Sequence, residues 1–258
     1  MTENQYTYAV ARIRSKELSL LNQQDLEQLL ASKSYEECIQ LLQEKGWGSQ
    51  DTKTAEEILK VEQAKVWSIM EELVDDLSIF DLLLYENDYQ NLKAAIKQIY
   101  VNAEVPDIYL PYGTVNPEII YEGIKEQDFE TLPEHMREAA KEAYEALFHT
   151  GDGQLCDVII DKAALNAIYE GGKASNNEIL EGYAKLKVVA ANINIAIRGN
   201  KTGKDAEFFQ RALADCDTLD IEELMKAALD SKTAIYDYLS STIYFDAVPA
   251  LKDSLASF

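Results

Sequence analysis

A segment about 100 residues along the chain repeats an earlier one, and that repetition limits what the chain can fold into. Residues 86–97 read ENDYQNLKAAIK and residues 187–198 read KVVAANINIAIR. Laid together, Asn91 falls on Asn192, Leu92 on Ile193, Ala95 on Ala196, Ile96 on Ile197 and Lys97 on Arg198. Both segments sit in helical patterns and both run into a loop. A second register points the same way. The stretches starting at Gln24, Asn116 and Lys204 each read as a short acidic amphipathic helix followed by another. A chain made of copies of one helical module repeats packing rather than chemistry, which favours a scaffold or shaft over an enzyme.

The fold class expected is all-α, in repeated helical modules over 1–105, 106–203 and 204–258. Eleven Gly and five Pro in 258 residues are too few for a turn-rich β protein. Tyr6, Ala9, Ile13 and Leu20 lie on one stripe of a first helix. Ser34 with Glu37 matches a capping box, and Gly46 stops the helix that it opens. Thr54 with Glu57 opens a long helix in which Val66, Ile69, Met70, Leu73 and Leu77 recur on one face. The spacing predicts a long helix within 54–100 and another within 175–198. Pro106, Pro111, Gly113 and Pro117 break the chain between modules, with Asn116-Pro117 as a helix start. Pro133 starts the next helix and Gly171-Gly172 ends another. Ser175 with Glu178 caps the second repeat helix, which runs to Gly199, and Asp205 caps the segment after the 199–204 linker. VIID at 158–161 is the one weak strand signal.

Charge excludes several functions. The chain carries 46 acids against 24 bases, a formal charge of −22. It has no basic cluster of the kind that displaces phosphate counterions, which argues against nucleic acid and against direct adsorption to anionic lipid. Residues 205–258 alone carry 11 acids against 4 bases. That end is either a plain solvated surface or one facing a basic protein. No apolar run approaches the ~20 residues that span a bilayer. Cys38, Cys156 and Cys216 are odd in number and far apart. With no signal peptide they read as reduced thiols of a cytoplasmic protein.

The sequence offers no catalytic, cofactor-binding or metal residue. Gly199 to Lys204 superficially resembles a phosphate loop. It has three residues between its glycines where four are required, and Asp205 after its Lys. His135 and His149 read as exposed helix residues, neither at metal-ligand spacing. Asp75, Asp76 and Asp81 lack the third acid of a helical magnesium motif and read as a solvated helix face. Tyr236, Tyr238 and Tyr244 are candidates for an exposed contact surface. Asn91 and Asn192 sit mid-helix, where Asn is mildly unfavourable. Each is expected to hydrogen-bond a neighbouring helix end or loop of its own module.

These residues also carry a family resemblance. The opening stretch, with Tyr8, Ala9, Ala11, Arg12, Arg14 and then Gly46-Trp47-Gly48, resembles the N-terminus of the C subunit of A/V-type ATPases, the family that includes the eukaryotic d subunit. LLLYENDYQNLKAAIK, with Glu86, Asp88, Asn91, Leu92 and Lys93, is similar to the family's first long-helix signature. LKVVAANINIAIRG is similar to the second, departing at Val189 and Ala191 and keeping Asn192 and Arg198. The resemblance implies a non-catalytic funnel of three helical modules about a pseudo-threefold axis, with no cofactor. It implies two partners, the membrane proteolipid ring and the central shaft of the soluble head. It places the subunit peripherally on the cytoplasmic face, coupling ATP hydrolysis or synthesis to ion transport. Family members continue past the point matching Phe258 and carry a third signature, so the third module is expected to be truncated here. The competing readings are a helical-repeat adaptor unrelated to an ATPase and an all-α enzyme with an acidic magnesium site.

Overall fold

The computed structural model describes residues 3–253; the last five positions of the expected third module, 254–258, lie outside the described residues. Thirteen α-helices and no strand occur among the described residues. The weak strand signal at 158–161 lies inside a helix. The chain divides into two compact units, residues 1–78 and 79–258.

The first unit holds α1 (Glu3–Glu17), α2 (Gln23–Ala31), α3 (Tyr35–Glu44) and α4 (Ala55–Leu73). Its helix starts follow local sequence. Asn22 and Asp25 form a reciprocal capping box at α2, and Thr54 and Glu57 form one at α4. At α3 only half of the expected box forms. Ser34 accepts from the Glu37 N–H, but the Glu37 carboxylate takes the Lys33 N–H at 2.7 Å instead. Gly46, at φ +84°, ends that turn in the left-handed region that suits glycine. Among the described residues of this unit, only Ala9, Ile39 and Ile58 are buried apolar side chains. Of the stripe expected on α1, Ala9 alone is buried, while Tyr6, Ile13 and Leu20 stay exposed.

The long helix expected from Thr54 stops at Leu73, and Leu77 falls beyond it. Val74 is extended, and the Asp76 carboxylate accepts the Ser78 N–H at 2.9 Å. A side chain that satisfies the backbone locally competes with helix propagation. Asp75 and Asp76 therefore lie in a connector, not on the helix face expected for them.

A 3-10 turn, Ser78–Phe80, spans the division, and the second unit continues with α5 (Asp81–Val101), α6 (Pro117–Lys125), α7 (Glu134–Thr150) and α8 (Gly153–Ala174). It ends with α9 (Glu178–Lys201), α10 (Ala206–Ala212), α11 (Ile221–Asp230), α12 (Lys232–Ser240) and α13 (Ala247–Asp253). Helix α8 is central, with α5, α7 and α9 packed along it. One core joins α5 to α8 through Leu92, Ile96, Ile120, Met136 and Ile160. Another joins α9 to α13 through Ile193, Ile197, Phe209, Leu224 and Leu239. Leu165, Tyr169, Val188 and Ala214 link the two.

Two expected boundaries shift by a few residues. Gly171 and Gly172 do not end a helix, since α8 runs on to Ala174. A Cβ on Gly172 would stand 2.3 Å from that of Ala184, so glycine lets α8 and α9 approach closely. Asn177, not Ser175, caps α9, accepting the N–H groups of Ile179 and Leu180. Ser175 instead closes α8 by donating to the Gly172 carbonyl at 2.7 Å.

Candidate functional site

The two repeat asparagines make the same device. On α5, the Asn91 amide donates to the Leu110 carbonyl at 3.0 Å and accepts the Leu110 N–H at 2.7 Å. On α9, Asn192 donates to the Ala214 carbonyl at 2.7 Å and accepts the Ala214 N–H at 2.9 Å. Both side chains are fully buried, as are Leu92 and Ile193 beside them. A carboxamide matches one peptide group, donor to acceptor and acceptor to donor. Asn91 thus clamps the loop after α5 and Asn192 the loop after α10, each reaching past the expected module boundary at 105/106 or 203/204 instead of staying within its own module.

The first copy carries more clamps than the second. Asn87 donates to the carbonyls of Pro111 and Tyr112, and Tyr109 donates to Gln98. Asp88 is fully buried and accepts from the Thr114 N–H, the Thr114 hydroxyl and the Val115 N–H. Burial pushes its carboxyl above the usual range, and those three donors only partly offset the shift. A Cβ on Gly113 would stand 2.1 Å from the Asp88 carboxylate, so that residue must be glycine for the loop to close over it. In the second copy the Asp88 counterpart is Val189, a buried residue of the apolar core.

Neighbouring groups have structural roles as well. The Tyr89 hydroxyl donates to the His135 carbonyl at 2.7 Å, and burial raises its pKa well above the ordinary value. His135 has an exposed edge, but its ring lies 4.7 Å from that of Tyr85. Burial lowers its pKa despite the charges of Asp88 and Asp81. His149 is exposed. Among the described residues no group of three or more His, Cys, Asp or Glu is placed to hold a metal ion. Cys156 is buried, Cys38 and Cys216 are half-buried, and all three are free thiols.

The 199–204 stretch is the end of a helix rather than the start of one. Gly199, Asn200 and Lys201 belong to α9, and the ring of Phe209 occupies the place of a Gly199 Cβ at 2.5 Å. A helix C-terminus presents carbonyls and partial negative charge, the reverse of a phosphate cradle. Lys204 is engaged elsewhere, donating to Gln154 at 2.7 Å.

The profile of the family described as ATP synthase (C/AC39) subunit matches residues 9–258. The chain belongs to that family. It is similar to the C subunit of the A-type ATP synthase of Thermococcus kodakarensis, at 23% identity over 265 residues, covering 96% of this chain and 71% of that relative. The corresponding A-type ATP synthase subunit of a Desulfurococcus species is likewise 23% identical over 267 residues, covering 97% of this chain and 72% of its own length.

In this member of the C/AC39 family the expected tyrosine surface does not form. Tyr236 is buried and donates to the Leu251 carbonyl at 2.9 Å. Tyr238 donates to the Asp220 carbonyl at 2.9 Å, and the Tyr244 and Thr218 hydroxyls meet at 2.6 Å. Tyr236 thus ties α12 to α13, Tyr238 ties α12 to the start of α11, and Tyr244 ties the turn after α12 to the loop before α11. Helical spacing alone does not show that short neighbouring helices would cover them. No helix among the described residues is long and apolar enough to cross a membrane.

Proposed function

We propose that this chain is a non-catalytic central-stalk subunit of an A/V-type ATP synthase. It links the central shaft of the soluble head to the membrane proteolipid ring, peripheral to the membrane on its cytoplasmic side. It thereby couples ATP hydrolysis or synthesis to ion transport. The family match over nearly the whole chain carries this reading, and it disfavours an unrelated helical adaptor.

A coupling part must pass torque without yielding. Close-packed helices have low compressibility, and loops are usually their soft points. The Asn91 and Asn192 clamps remove that softness by tying a loop to each long helix.

We further propose that the three-module plan holds, with the modules about a pseudo-threefold axis. The contacts favour a unit headed by its long helix, with α5 heading the second module and α9 the third. The expected divisions at 105/106 and 203/204 then fall just after each long helix rather than before it. The pairing of Glu86 with Lys187, counterparts in the two copies, supports an axis passing near both. Counterparts of a rotational repeat touch each other only close to its axis.

The test is a pull-down of the purified chain with the cognate proteolipid ring and shaft subunits at low and high salt. Binding to both is expected, faster at low salt because a chain of charge −22 meets a basic partner surface. Retention of neither partner by a chain that is folded by circular dichroism would refute the rotor assignment.

A further inference from the structure

We draw no further inference here: the strongest candidate, the surface patch of exposed Ile179, Tyr183 and Leu186 at helical spacing along the first half of α9, is an apolar face, and nothing in the structure shows what covers it.

Discussion

The Lys187 ammonium donates to the Glu86 carboxylate at 2.7 Å, and the two residues are counterparts, 101 positions apart, in the two copies of the repeat. The pair joins α5 to α9 across the second unit. Burial works against the Lys187 charge, but the hydrogen bond and charge of Glu86 outweigh it and raise the lysine pKa on balance. With side chains 35% and 52% exposed, the pair holds register more than it stabilises. Glu86→Gln should cost about 0.5 kcal/mol, and the reversed pair Glu86→Lys with Lys187→Glu should recover most of it. A double-mutant cycle followed by urea unfolding measures this coupling.

The asparagine clamps are a stronger matter. Asn91→Ala leaves the N–H and carbonyl of Leu110 without their partner inside the protein, and Asn192→Ala does the same to Ala214. Each substitution should cost about 2–4 kcal/mol, since an orphaned buried polar group forfeits its hydration. Aspartate in either place cannot donate when ionised, so Asn192→Asp should be unstable at neutral pH and recover as pH falls and its carboxyl protonates. Urea midpoints at two pH values separate these outcomes.

Gly172 and Ala184 set the approach of α8 to α9. Gly172→Ala brings two Cβ atoms to 2.3 Å, and the neighbour is a short, rigid side chain that cannot swing away. A loss of about 1–3 kcal/mol is expected, from a substitution that would stabilise an open helix. Gly182→Ala, on α9 with open space around it, is the matched control and should be neutral or stabilising.

Alkaline pH should loosen the second unit. Burial pushes the Cys156 thiol from 9.0 up to about 11, with the Asp157 charge adding to the shift. Burial likewise raises the Tyr109 hydroxyl from 10.0 to about 12. Both pKa values are higher folded than unfolded, so the stability contributed is whole below about pH 9 and falls as pH climbs towards 11 and 12. Melting temperatures by calorimetry should be flat from neutral pH to about 9 and then decline. Cys156 should also resist alkylation at pH 8 until denaturant opens the core.

Much of this was legible in the residues, and the failures share a cause. The all-α class and the caps at Thr54, Asn116 and Asp205 are local signals, and the structure keeps them; the clamping role of Asn91 and Asn192 was legible only through the repeat, because their partners lie 19 and 22 positions away. The break at 74–80 depended on one carboxylate taking a backbone N–H, which an apolar period does not register. Gly171-Gly172 read as a stop because the Ala184 side chain that requires a glycine lies on another helix. Tyr236, Tyr238 and Tyr244 looked exposed because their partners, Leu251, Asp220 and Thr218, are distant in sequence. The Asp88 carboxylate, the most buried charged group of the clamp, went unassigned for the same reason, since Thr114 and Val115 are 26 and 27 positions away.

Mechanical coupling is tested most directly by reconstitution. The complex is assembled in liposomes with and without this chain, and ATP hydrolysis and ATP-driven ion uptake are followed together. Without the chain, hydrolysis by the head should continue and uptake should be lost; adding the purified chain should restore uptake. Ion uptake that proceeds undiminished in its absence would contradict a coupling role.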